Sequence, residues 1–419
     1  MKKLIMLSLF TYTLSFTSAF SQGTWSSRSS LPDSGRDGGV GFSIGNYGYM
    51  GLGSDVGSFP HSNYLDFWRF NPSNDSWARM ANFPDSETWF PAFFVIGNYG
   101  YVVTGQGDHF EGCTNRCWQY NAITNKWTEK ASFPGAVRVG AVGFSIGGKG
   151  YVGMGTAASY ETYYKDFWCY DTTTNVWRQI ADFGSISRLG SSGFSVVGKG
   201  YVCFGRDSTF TFHNDMWAYD TGSNTWTQKS DCPGIVRTSA NGFVIGSYIF
   251  VGTGVDSTAT CDSDFYQYNT VTDTWKTITS FPGMVKDRRV GSSAFSISDT
   301  GYFGLGTFLG YGVNPAYYFN DLYRFIPDSI TGIANFSAQP ELFIYPNPAN
   351  KFLTIKFSQQ LHGLATLFIM DITGRELLNS QLTIHNSQLT IDVSSLSSGM
   401  YFLNIQNRDT YVIQKFIKY

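Results

Sequence analysis

Five arginines fall at one recurring place in the 419-residue chain. Arg36, Arg138, Arg188, Arg237 and Arg289 each stand six residues before a phenylalanine, and Thr88 holds the same place once. A guanidinium keeps its charge at all ordinary pH and presents a planar fork of donors, so it suits carboxylates and sulfates. Five of them brought to one point would hold an acidic ligand. The same five could instead brace the fold from within, because clustered like charges need counter-charges when buried. Asp55, Asp108, Asp207 and Asp256, a short way downstream, are the expected partners in that case.

The elements that position the arginines are repeats. Trp25, Trp77, Trp127, Trp177, Trp226 and Trp275 recur roughly every 50 residues, a period that marks a repeat architecture. From Trp77 on, each follows an aromatic by seven, and those aromatics close the motifs DFWRF (66–70), RCWQY (116–120), DFWCY (166–170), DMWAY (215–219) and DFYQY (264–268). A sixth copy, DLYRF (321–325), has no Trp after it. Upstream of each lies a Gly-centred hairpin pattern such as GFSIGNYGYMGLG (41–53) or GFSIGGKGYVGMG (143–155). Two hairpin strands, the aromatic motif and the Trp segment make four strands per unit. Six units predict an all-β chain built as a six-bladed β-propeller. Trp25 is expected to supply the outer strand that the sixth unit lacks, so that the two ends of the ring meet in one sheet.

These motifs resemble the Kelch repeats over residues 23–327. The carriers are the Gly-ending second strand, the aromatic pair, and the Trp six residues before a Phe or Leu that precedes Pro. One departure is a Gly-x-Gly where Kelch units usually carry Gly-Gly. The resemblance implies that the loop entering the innermost strand lies at the mouth of a central channel. Related Kelch propellers hold acidic ligands with arginines there, which makes Arg36, Arg138, Arg188, Arg237 and Arg289 the candidate ligand-binding residues. The six-bladed sialic-acid epimerases are Kelch propellers too.

Other chemistry is thinly supplied. His61, His109 and His213 fall in loops after the second strand of three units. Copper as in galactose oxidase, whose central propeller is Kelch-like, needs two Tyr, two His and a Tyr–Cys crosslink, and spacing assigns none of these. Asp262-Ser263-Asp264 hints at calcium, but Asp264 occupies a repeat position also filled by Asp66, Asp166 and Asp215, which favours a structural role. Cys113 and Cys117 could pair locally, Cys232 and Cys261 fall in loops, and Cys169 and Cys203 fall in strands as small buried residues. Zinc would need a second ligand pair at the usual spacing. No nucleophile motif, phosphate loop or HExxH stands out, and no cofactor is expected.

Composition agrees with an aromatic-packed all-β protein: 42% hydrophobic, 17% aromatic, 14% charged and 46 Gly. A net charge of −2 without long charge runs gives no reason to expect nucleic acid. Residues 1–21 read as a secretory signal peptide, with Lys2 and Lys3, an apolar stretch and the small residues Ala19 and Ser21 before the cut. No other apolar run is long enough to span a bilayer. The propeller is assigned to 22–327, a linker to 328–340, and a small β-sandwich to 341–419. In the last segment Pro346-Asn347-Pro348, Asp371-x-x-Gly374-Arg375, Leu396-x-x-Gly399-x-Tyr401 and the final KFIKY resemble the sorting domain of the type IX secretion system. That resemblance implies export to the outside or outer surface of a Gram-negative cell, with the secretion machinery as partner. The expected function is a binding module for carbohydrate or another acidic extracellular ligand. The alternatives are a sugar-active enzyme such as a sialic-acid epimerase or mutarotase, and a protein-interaction scaffold.

Overall fold

The computed structural model describes residues 23–419 apart from 56–63, 86–87, 108–111, 284–287, 309–316, 329–341, 358–362, 372–375, 385–387 and 408–410. The expected signal peptide, most of the expected linker, His61, His109, Asp108 and Gly374-Arg375 lie outside the described residues. Up to residue 328 the chain folds into six antiparallel four-stranded blades. Blade three is typical. Its strands are Val142–Ile146, Lys149–Gly153, Phe167–Asp171 and Val176–Ile180, paired in sequence order from the axis outward. The first turn is Gly147-Gly148, both with positive φ (56° and 78°), which suits the tight hairpin turn that right-twisted strands need.

Blade-to-blade packing explains the repeated glycine of the second strand. A Cβ on Gly150 would come within 2.2 Å of Phe94 on the inner strand of the preceding blade, and one on Gly48 within 2.1 Å of Phe295. The first contact joins blades two and three, and the second joins blade six to blade one. Farther out the wedge widens and tryptophan fills it. The indole N–H of each Trp donates to a carbonyl behind the outer strand of the preceding blade: Trp77 to Ser29, Trp127 to Ala81, Trp177 to Ala131, Trp226 to Ala181 and Trp275 to Ser230. Trp25 does the same to Thr279 at 3.1 Å. Its strand, Thr24–Arg28, pairs antiparallel with Leu322–Ile326 as the outer strand of blade six.

Residues from 342 on form two further antiparallel sheets. Leu342–Tyr345, Phe352–Phe357 and Gln388–Asp392 make one, and Gly363–Asp371, Glu376–Ile384, Gly399–Asn407 and Tyr411–Lys418 the other. Leu353 and Ile355 from the first share one core with Leu367, Ile369, Leu403 and Phe416 from the second. Alternation of apolar and polar residues along these strands produces that shared face. The KFIKY terminus is pinned by its penultimate strand residue, Ile417, whose N–H donates to Asn347 Oδ1.

Candidate functional site

The five arginines are fully buried, and each is bound within its own blade. The Arg138 fork meets Asp166 at 2.7 and 2.9 Å, and its Nη1 also donates to the carbonyl of Met154. Arg188 repeats this with Asp215 (2.5 and 3.1 Å), Arg237 with Asp264 (2.5 and 2.7 Å) and Arg289 with Asp321 (2.5 and 3.0 Å), while Arg36 pairs with Asp66. Burial works against ionisation of Asp215 and Asp264, but the hydrogen bonds and charge of their arginines outweigh it and hold both carboxyls below the ordinary value. Aromatic rings lie over the faces of the guanidiniums, among them Tyr64 over Arg36 and Phe319 over Arg289, each at 3.8 Å.

Two expectations are corrected here. The arginines do not present free forks to the mouth: all five are buried and paired with an aspartate, although Arg36 Nη2 has no hydrogen-bond partner. Their partners are the aspartates that immediately precede the third strand, not those that follow the second. Asp55 instead accepts from the Tyr64 hydroxyl, Asp207 from Thr209 and Thr211 with His213 Nε2 alongside at 3.0 Å, and Asp256 from Thr258 and Thr260.

Each arginine also ties blades through its backbone. The carbonyls of Arg36, Thr88, Arg138, Arg188, Arg237 and Arg289 accept from Gly306, Gly53, Gly105, Gly155, Gly205 and Gly254, all in the preceding blade. Two residues farther on, a closed ring of backbone hydrogen bonds encircles the axis. Gly38 donates to Gly291, Gly291 to Ser239, Ser239 to Gly190, Gly190 to Gly140, Gly140 to Phe90 and Phe90 to Gly38 (2.7 to 3.3 Å). All six residues have φ between 45° and 67°, the left-handed region. The cavity at the centre of the ring holds about 90 Å³, with Ser192, Asn241 and Ser292 among its walls. That is well below the roughly 300 Å³ at which small-molecule sites begin.

Chemistry left over at the mouth collects around blades one to four. Trp89 Nε1 donates to Asp37 at 2.8 Å, and Trp89 exchanges backbone bonds with Gln106. Tyr160 Oη donates to Gln106 Oε1 at 3.2 Å, and Arg206 reaches Tyr163 Oη at 3.4 Å beneath the Phe210 ring. Burial, reinforced by the charge of Asp55 and only partly offset by the Trp89 bond, raises the Asp37 carboxyl to about 7.

A family model described as the KLHDC2/KLHL20/DRC7 Kelch-repeats domain matches residues 92–306. The chain belongs to the Kelch-repeat family. A second model, the secretion system C-terminal sorting domain, matches residues 343–419 and marks this Kelch propeller for secretion to the cell exterior through the type IX system. Among solved structures, one titled "Structure of YjhT" is 15% identical with a TM-score of 0.59, over 70% of this chain and 95% of that one. At that identity the likeness shows the fold alone. No curated protein matches the chain. No helix among the described residues is long and apolar enough to cross a membrane.

Some sequence readings find no support at this Kelch mouth. Among the described residues no group of three His, Cys, Asp or Glu side chains is placed to hold a metal. Cys113 and Cys117 are not joined: Cys117 opens a strand and points into the core, while Cys113 bridges Gln106 in the mouth. Burial raises the Cys113 thiol to about 11 and Cys232 to about 12, so neither is a ready nucleophile. Trp89, Gln106, Tyr160 and Phe210 were missed by the sequence reading. The available signal for Trp89 was the departure of blade two, which reads TWFP where blade three reads RVGA.

Proposed function

We propose that this secreted propeller is a binding module for neutral carbohydrate, seated on the face formed by the loops entering the inner strands and following the second strands. The observation that carries the reading is the pairing of every arginine of the ring with its own aspartate. With those charges cancelled, the described side chains on this face include aromatic rings, the Gln106 amide, Arg206, Arg288, and carboxylates such as Asp37, Asp55 and Asp256. Such a surface favours hydroxyl-rich ligands over anions. In this reading the arginine ring is the brace that holds the loops, not the contact surface. A glycan array with neutral, sialylated and sulfated entries tests it. Retention of neutral glycans is expected; binding only to the anionic entries, or to none, overturns it.

A sugar-active enzyme is the second reading, and Asp37 favours it. A carboxyl raised to about 7 stands where general acid–base catalysis at neutral pH would need it. Mutarotation of free reducing sugars, followed by NMR with and without the protein, tests this; no acceleration by the wild type removes it.

A further inference from the structure

The loops after the second strand share one turn in blades three, four and five. Tyr160 N–H donates to Ala157, Phe210 to Asp207 and Ala259 to Asp256 (2.9, 3.1 and 3.1 Å), and the three tip residues have φ of 58°, 62° and 59°. The turn needs only a residue that tolerates the left-handed region, which Gly or Asn does with least strain. Blade five makes it with alanine. An aromatic ring is therefore not required by the turn, and a bulky side chain there is a strained choice. Phe210 is moreover 66% exposed and Tyr160 37%. The turn itself accounts for neither ring, and the fold uses Tyr160 through its hydroxyl bond to Gln106.

Polar groups beside these rings have hydrogen-bonding capacity to spare. Gln106 is 2% exposed and accepts from Tyr160 Oη, yet its Nε2 has no partner; Arg206 Nε has none either. The Arg206 guanidinium lies 4.3 Å from the centre of the Phe210 ring and reaches Tyr163 Oη, in the loop that carries Tyr160, at 3.4 Å, so it joins the two loops. Asp207, next in sequence, is bonded to Thr209, Thr211 and His213 rather than to Arg206. The result is two aromatic rings with an unmet donor beside each.

We propose that Tyr160 and Phe210 are the stacking platform for an uncharged pyranose ring, with Gln106 and Arg206 supplying hydrogen bonds to its hydroxyls. The proposal rests on the carbohydrate-binding reading and narrows it to one subsite. A sugar ring has the matching chemistry, an apolar C–H face and an equatorial rim of hydroxyls. The platform ends at Ala259, which offers no ring.

The test uses the mature full-length chain and a panel of cello-, xylo-, manno- and chitohexaose with sialyllactose as the anionic probe, read by calorimetry. Wild type is expected to bind at least one neutral hexasaccharide. Phe210→Ala and Tyr160→Ala should each weaken that binding tenfold or more, Phe210→Trp should keep it, and Phe210→Ala should not lower Tm. Binding by wild type that survives both alanine substitutions overturns the platform and leaves the carbohydrate reading intact. Binding of sialyllactose alone, or of no sugar, overturns both.

Discussion

Arg116 and Asp85 meet at 2.8 Å with their charges in exchanged places. Arg116 immediately precedes the third strand of blade two, where the other blades have Asp66, Asp166, Asp215, Asp264 and Asp321. Asp85 comes from the loop entering the blade, three residues before Thr88, on the side where the others have arginine. Asp85 also accepts from the Trp118 indole at 2.8 Å, the bond that Asp166 accepts from Trp168 and Asp215 from Trp217. The tie between entering loop and third strand is thus kept while its polarity is reversed.

The reversed tie can be turned back. Arg116→Asp alone would set two carboxylates against each other and should cost about 1 kcal/mol, modest because Arg116 is half exposed. Adding Thr88→Arg restores the arrangement of the other blades and should recover that loss. Urea unfolding of the two variants checks this; a double variant less stable than the single one would show that blade two cannot take the common pattern.

The ring of arginines should behave as a brace. Arg138→Ala leaves Asp166 and the Met154 carbonyl without their partner in a buried place, a loss of about 3–5 kcal/mol. Arg138→Lys should recover only part, since an ammonium cannot fork to both carboxylate oxygens. Asp166→Ala in the Arg138→Ala background should add less than it costs alone, the remainder being its bond from the Trp168 indole. Full additivity in a double-mutant cycle, or loss of glycan binding with Tm unchanged, would return the arginines to the contact surface.

Asp37 gives stability a pH dependence of definite sign. Its carboxyl is raised to about 7 in the fold and titrates near 3.8 when exposed. The folded protein therefore holds this proton more tightly. The contribution is fully present below about pH 4 and is lost as pH rises through 7, in total on the order of 4 kcal/mol. Asp37→Asn keeps an acceptor for Trp89 Nε1 and cannot ionise. Its Tm should match wild type near pH 4 and exceed it increasingly up to pH 7.5. A Tm difference that stays constant over that range would show that Asp37 is not held neutral.

Those residues separate what sequence showed from what it hid. The tryptophans and the inner phenylalanines were legible because interblade packing demands the same volume at the same place six times, and the second-strand glycine recurs in five blades, with Ile249 in its place in blade five. The arginines were legible as a set for the same reason. Their role was not, since Arg138 and Asp166 lie 28 positions apart and meet only after two strands have paired. Asp207 and Asp256 were nearer in sequence and were the wrong partners. Tyr160 and Phe210 escaped because a loop tip is not tied to the repeat, so no period marks it. The sorting tail was legible almost whole, because its motifs are sequence-local turns and strand ends.

Trp25 closes the ring without a peptide link to the rest of its blade, and the seam should yield first. It packs against Phe265, Phe281 and Phe325 at 4.8 to 5.1 Å, and Thr279 Oγ1 donates back to the Gly23 carbonyl at 2.8 Å. Trp177 fills the equivalent wedge in blade three, on a strand joined by a short turn. Each Trp→Ala change should cost about 2–4 kcal/mol in global stability, somewhat below the fully buried case because both rings touch solvent. Their local effects should differ. Trp25→Ala should speed amide exchange across Leu322–Ile326, whose outer edge is covered only by Thr24–Arg28. Trp177→Ala should leave exchange in Phe167–Asp171 near wild type until global unfolding. Equal local exchange in the two variants would mean that the seam is as cooperative as any covalently joined blade.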